Sequence, residues 1–401
     1  MFDVVIIGAG PAGLSAANIC REYQLKVVVV DEFIKPGGRL LGQLHQEPDG
    51  TWWNGIEEAK KLSSRAEQLG VDIRCGVSVH DINNQDGIWS IHTNQETFRA
   101  ANLLLATGAA ETPVPIPGWT LPGVMSIGAA QVMANVHRVR VGKKGVVVGI
   151  NVLSAAITRE LQLAGIDIAC MALPAVNHIT KDAGHPEKVM ESLLRISHLA
   201  PSAFIRMGSK LVKSSWMQGL ALKFLPKKGI KMWDMPIHLK KCVTQINGKN
   251  QVESVTICDV RPDGTIIEES AQQMEVDFVC IAGGLYPLVE LAAIAGCPFQ
   301  FIPELGGHVP VHNEKMETML DGLYVAGNIT GIESAKVAIT QGNVAGFSIV
   351  NRAFPNNKET TEHLREAILN VHTTRNNASI QFHPGITDGR ERLEKVYQEI
   401  S

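Results

Sequence analysis

The stretch GAGPAG, residues 8–13, carries three glycines at a spacing that suits a pyrophosphate. Gly8 permits a tight turn after a strand. Gly10 lets the backbone close on phosphate oxygens where any Cβ would intrude, and Gly13 lets a helix pack close to the strand. Pro11 and Ala12 open that helix, whose free N–H groups and partial positive charge favour an anion. Asp31 and Glu32 follow roughly 20 residues on, where a carboxylate accepts from ribose hydroxyls and disfavours a 2′-phosphate. The chemistry written in these residues is the capture of the adenosine diphosphate half of a dinucleotide.

The elements around them fit that task. DVVIIG (3–8) reads as a buried parallel strand, PAGLSAANICREYQ as an amphipathic helix, and KVVVVDE (26–32) as the next strand. More pieces of a cofactor site follow. KPGGRLLGQ (35–43) brings Gly38 and Arg39, and LLLATGAA (103–110) is a strand ending in Ala106, Thr107 and Gly108. DGLYVAGNITGIESAKVAITQGNVAG (321–346) adds a strand, a turn with Gly327 and Asn328, and a helix beginning near Ala335. Val77 completes the candidate cofactor-binding set. No residue stands out as an acid–base catalyst. His308 and His312 lie four apart in GGHVPVH, but further metal ligands are not evident nearby, so no metal site is expected.

A second strand–turn–helix lies at GVVVGINVLSAA, 145–156. Here the third position is Asn151, with a Cβ where pyrophosphate must come close, and the sixth is Ser154. The following strand, GIDIACMAL, carries no acid for a ribose and no Arg for a 2′-phosphate after Ile168. The expectation is a Rossmann-like domain kept for shape, without NAD(P)H. A redox-active chain of this kind draws its electrons from elsewhere. With no C-x-x-C pair it does not pass them to a disulfide, so a partner protein is the natural source.

Composition sets wider bounds. The 401 residues imply two or three domains at roughly 150 residues each. The division expected is 1–112 with 276–350 as a discontinuous nucleotide-binding domain, 113–275 as the nested second domain, and 351–401 as a helical tail. A net charge of −3 gives no pull toward nucleic acid. The seven cysteines, Cys20, Cys75, Cys170, Cys242, Cys258, Cys280 and Cys297, are scattered, which fits a reduced cytosol and offers no iron–sulfur grouping. The start, MFDVVIIGAG, lacks a leader pattern, and no run of 18 apolar residues occurs, so the chain reads as cytoplasmic. Residues 192–233 interleave basic residues with Trp216, Met217, Phe224, Met232 and Trp233. That segment reads as a subunit contact, with peripheral contact at the inner face of a membrane as the other reading.

In order, GAGPAG, VVVVDE with PGGR, LLLATGA–PIPGW–LPGV, the degraded second turn, DFVCIAGGLYPLVEL, GGHVPVH and GLYVAGN–GIESA–QGNVAG resemble one known group. It is the alpha subunit of multi-subunit flavin-dependent amino-acid dehydrogenases and oxidases. The group includes D-hydroxyproline and L-proline dehydrogenases, opine oxidases, heterotetrameric sarcosine oxidase and hydrogen cyanide synthase. The resemblance covers residues 1–350. It implies an α/β fold of the two-dinucleotide-domain flavoprotein type. It implies an FAD-containing beta subunit that oxidises the amino-acid substrate, and an alpha subunit that binds FAD, ATP or NAD and relays electrons. It also implies an FMN shared between the two. The Cys-rich extension that holds a [2Fe–2S] cluster in many members is not present in this sequence, so any cluster is expected on a small separate subunit. One departure is Asn328, where the group's pattern has Asp. A neutral acceptor hydrogen-bonds more weakly than an ionised one, which keeps ATP and NAD open beside FAD. Two other readings stay open. One is a self-sufficient NAD(P)H-dependent flavin reductase, and the other is a redox-silent scaffold that binds ATP or NAD.

Overall fold

The computed structural model describes residues 1–47, 49–195, 226, 229–232, 235–378 and 382–401. The core of residues 196–225 in the basic, Trp-containing segment therefore lies outside the described residues. The chain divides into two compact units. One comprises Met1–Gln43, Asn54–Ala110 and Leu285–Ser401, the other Leu44–Trp53 and Glu111–Gly284.

The first unit opens with β1 (Phe2–Ile7), α1 (Pro11–Glu22) and β2 (Val27–Asp31). It continues through α2 (Gly55–Gln68), β3 (Asp72–Cys75), β4 (Val79–Gln85), β5 (Ile88–Thr93) and β6 (Thr97–Leu105). The sheet order is β3-β2-β1-β6-β5-β4. β3, β2, β1 and β6 run parallel, while β5 and β4 fold back antiparallel. Central parallel strands are covered on both faces and so read as unbroken apolar runs. Val4 and Ile6 of β1 face one core with Leu14 and Ala17, whereas Val5 and Ile7 face another with Val28 and Val30.

The second unit repeats the design. It contains β7 (Val124–Ser126), α3 (Ile127–Asn135), β8 (Lys144–Val148), α4 (Val152–Leu163) and β9 (Asp167–Pro174). β10 (Met235–Asn247), β11 (Ser254–Val260), β12 (Ile266–Glu275) and β13 (Phe278–Ile281) continue its sheet, and the short strand Ile230–Met232 pairs antiparallel with β10. The order is β7-β13-β8-β9-β10-β11-β12, parallel from β7 to β10 and antiparallel beyond.

The chain then returns to the first unit with α5 (Glu290–Ile294), β14 (Leu323–Val325), α6 (Ala335–Ala353), α7 (Lys358–Asn376) and α8 (Ile386–Ile400). β14 lies parallel to β6.

The unit boundaries differ from the expected division in four places, the smallest being Glu111 and Thr112, which go with the second unit. Residues 276–284 go with the second unit, because β13 pairs with β8. Residues 44–53 also group there. Residues 351–401 do not stand apart. Leu364, Ala367 and Val371 of α7 join the core around α1 and α6, and Ile386 and Leu393 of α8 pack with Ile302 and Leu305. Among the described residues, no helix is long and apolar enough to cross a membrane.

Candidate nucleotide site

The first turn is built as its spacing requires. Gly8 has φ +109, and a Cβ there would lie 2.3 Å from the Ala106 carbonyl oxygen. A Cβ on Gly13 would lie 1.9 Å from the Gly8 oxygen, so α1 crosses β1 closer than any side chain allows. Gly10 differs. Its φ of −78 suits any residue, and the nearest atom to a Cβ there is the Gly38 Cα at 4.0 Å. Neither strain nor protein packing explains Gly10; an open space beside its backbone does. Pro11 begins α1, and Ala12 lies 3.0 Å from where a Cβ on Gly327 would stand.

Asp31 ends β2 and holds the turn. Its Oδ2 accepts from the Ala9 N–H at 2.6 Å and its Oδ1 from the Phe33 N–H at 2.8 Å. Burial pushes this carboxyl up, and the two backbone donors pull against that rise. Glu32 beside it is exposed. A cleft of about 380 Å³ opens against these residues, and its lining includes Gly8, Asp31, Glu32, Val77, His80 and Thr107. It sits at the carboxyl ends of β1 and β2, where open α/β sheets place ligands.

The other expected residues gather at the same end of the sheet without lining that cleft. Ala106 donates its N–H to the Ile7 carbonyl at 2.8 Å. The Gly108 carbonyl accepts from Leu288 N–H at 3.1 Å, and the Thr107 hydroxyl donates to the Leu288 carbonyl at 2.6 Å. Arg39 lays its guanidinium on the Ala109 carbonyl, with Nη2 at 2.9 Å. The late turn leaves β14 at Gly327, whose N–H donates to Gln341 Oε1 at 2.9 Å. Asn328 Oδ1 accepts from the Glu333 N–H at 3.2 Å. α6 starts at Ala335, capped by Ser334.

The sequence reading missed the opposite wall of the cleft. Leu288, Glu290, Leu291 and Ile294 line it, brought in by a segment 181 residues from Thr107. No spacing rule announces such a wall. The two histidines do not come together as a pair. His308 is exposed against the Phe301 ring. His312 is buried, donates from Nδ1 to the Pro310 carbonyl at 2.7 Å, and is pushed down to about 3 by burial and the nearby guanidiniums of Arg390 and Arg375.

In the second unit, the turn after β8 is a closed copy. Gly149 has φ +113, and a Cβ there would lie 2.2 Å from the Ala282 oxygen. Asn151 Oδ1 accepts from the Ser154 N–H at 2.8 Å, and Ser154 Oγ accepts from the Asn151 N–H at 2.9 Å. This reciprocal capping box occupies donors that an anion would need.

Residues 2–182 match the family model of pyridine nucleotide-disulphide oxidoreductases. The chain is 25% identical to the A chain of opine oxidase from Rhizobium meliloti, over 87% of this chain and 71% of that protein. It is also 25% identical to the HcnB component of hydrogen cyanide synthase from Pseudomonas aeruginosa, over 86% of this chain and 70% of that protein. This chain is a relative of those two proteins. Among solved structures, the crystal structure of L-proline dehydrogenase from P. horikoshii shares the fold. Its TM-score is 0.63 at 20% identity, covering 91% of this chain and 58% of that one. The resemblance read from the motifs and the flavoprotein-type α/β fold are therefore borne out. The family implies binding of FAD or NAD(P) and an oxidoreductase role.

Proposed function

We propose that this chain is the nucleotide-binding, electron-relaying subunit of a flavin-dependent complex whose partner oxidises an amino acid or secondary amine, of the D-hydroxyproline or proline type. One observation carries the reading: an open first turn and a self-capped second turn in the same chain. Gly8, Gly10, Gly13 and Asp31 would hold the adenosine diphosphate half. Gly38, Arg39, Gly327 and Asn328 would close on the pyrophosphate side. The open space at Gly10 fits a phosphate, and the cleft beside Asp31 fits an adenosine. A flavin bound there would supply electron transfer between one- and two-electron carriers. The chain's own residues bind and orient it, and no acid–base group of this site is called on.

The amine class comes from the relatives' names, opine oxidase among them. A partner is supported because those relatives are named as subunits. An FMN shared with that partner, and a small [2Fe–2S] subunit, follow from the same resemblance. Dithiol chemistry finds no support in the thiols. Burial pushes Cys20, Cys242, Cys280 and Cys297 up to about 12 and Cys170 to about 11, so at neutral pH they are not thiolates.

The test is to purify the chain, denature it, and identify the released nucleotide by chromatography and mass. FAD is the expected result, with little amine oxidation by the isolated chain. Rapid bleaching of its flavin by NADH would sink the relay reading in favour of a flavin reductase. A colourless protein loaded with ATP or NAD would favour a scaffold.

A further inference from the structure

The late turn, 327–335, is held from outside its own strand and helix. Glu333 follows the turn and is buried. Its carboxylate takes Arg375 Nε on Oε1 at 2.6 Å and Arg375 Nη2 on Oε2 at 3.1 Å. The same Oε2 takes Arg390 Nη2 at 2.5 Å. Arg390 also reaches the turn directly, donating to the Thr330 carbonyl at 2.7 Å and to Thr330 Oγ1 at 3.1 Å. Thr330 Oγ1 in turn donates to the Gly327 carbonyl at 2.8 Å. The Glu333 N–H fixes the Asn328 side chain. Arg375 comes from α7 and Arg390 from α8.

Two guanidiniums thus share one carboxylate in a buried setting. A fold that needed only an ion pair would balance the charges, because each unmatched buried charge is costly. The neighbouring His312 is neutral and adds no further cation. The surplus cation lies against Thr330, inside the turn that leads into the N-terminus of α6. An anion bound at that turn would offset it.

We propose that Arg375 and Arg390 are positioning residues for the nucleotide site. On this view, helices α7 and α8 act through Glu333 to set the geometry of Gly327 and Asn328 and to favour an anionic ligand there. The inference rests on the nucleotide reading above and adds a part to it that the glycine motifs do not contain.

Hydrogen exchange on the full-length wild-type chain tests it without any substitution. FAD, ATP and NAD are each added to nucleotide-stripped protein. The expected result is slowed exchange both at 8–14 and at 371–378 and 386–393. Slowing at 8–14 alone would overturn the proposal and leave the nucleotide reading standing. No slowing anywhere would overturn both. Arg390→Lys and Arg390→Gln then measure the coupling. Each is expected to weaken the responding nucleotide by ~10-fold, with Arg390→Lys, which keeps the charge but not the fork, the milder of the two. Unchanged affinity in both, in folded protein, would also overturn it. Arg352→Lys, at the exposed ion pair with Asp321, is the control and should leave affinity unchanged.

Discussion

The two turns of this chain share a backbone and differ in what the backbone serves. Gly8 donates its N–H to the Val30 carbonyl at 2.8 Å, and Gly149 donates to the Ala172 carbonyl at 2.9 Å. β1 meets β2 with Ile7 opposite Val30, and β8 meets β9 with Val148 opposite Ala172. By this register the counterpart of Asp31 is Leu173, which is fully buried. The counterpart of Gly10 is Asn151, and that of Gly13 is Ser154. The first turn leaves its helix N-terminus without a side-chain cap; the second supplies one from its own residues. A helix end satisfied internally suits a Rossmann unit kept for packing. An end left uncapped suits a unit that, on the function proposed above, holds a ligand.

The largest effect should come from Gly13→Ala. Its methyl would collide with backbone rather than with a movable side chain, so the turn must open or α1 must shift. Nucleotide retention should fall more than ~100-fold, and stability by ~3 kcal/mol, within the range of overpacked cores. Both are read by released nucleotide and urea unfolding. Gly10→Ala sharpens the comparison, because its backbone angle and surroundings tolerate a methyl. Stability of the stripped protein should be unchanged or slightly higher, as expected when Gly becomes Ala at a compatible angle. Nucleotide affinity should drop by ~10–100-fold. A stable Gly10→Ala protein that still retains its nucleotide would show that the open space is not the phosphate's.

Much of this was legible in the residues, and the reasons for the remainder are physical. Gly8, Gly10, Gly13 and Asp31 sit within one local unit, so their spacing is enough to place them together. The same holds for the capping pair, where Asn151 and Ser154 could be seen as wrong for a ligand but not yet as right for each other. Leu288 and Glu290 reach the cleft only through tertiary folding, and no local pattern marks them. Residues 351–401 are legible as a helical tail. That Arg375 and Arg390 converge on Glu333 depends on how α7 and α8 dock, which periodicity does not specify. The domain boundary slipped near residue 276 because a strand's partner, not its own composition, decides which sheet it joins.

A third test asks whether the polar groups buried in the second unit serve structure alone. Glu160 in α4 accepts from Gln131 Nε2 at 2.7 Å, Asn135 Nδ2 at 2.8 Å and the Leu44 N–H at 3.0 Å. Burial outweighs these bonds and pushes the carboxyl from 4.5 up to about 7. The folded state then holds a proton that the unfolded state has released between about pH 4.5 and 7. Stability from this group is full below that window and is lost as pH rises through it. The loss is at most ~3–4 kcal/mol. Glu160→Gln should flatten this slope in urea titrations of the full chain while nucleotide content stays unchanged. A slope that survives the substitution would assign it to other groups.

The smallest effect is the most discriminating. Asn151→Ala removes one half of the capping box and should cost the second unit ~1 kcal/mol. It should leave the first site's nucleotide untouched. Asn151→Gly is the sharper variant, because glycine is itself a tolerated cap and costs only a few tenths. It also clears the Cβ and frees the Ser154 N–H. If the second turn were closed by its cap alone, this variant would acquire NADH binding and its bound flavin would bleach. The expected outcome is no gain. Leu173 still stands where a ribose would need an acid, and a buried leucine offers ribose hydroxyls no partner. Measurable NADH affinity in Asn151→Gly would mean that the cap, not the missing acid, keeps the second turn shut.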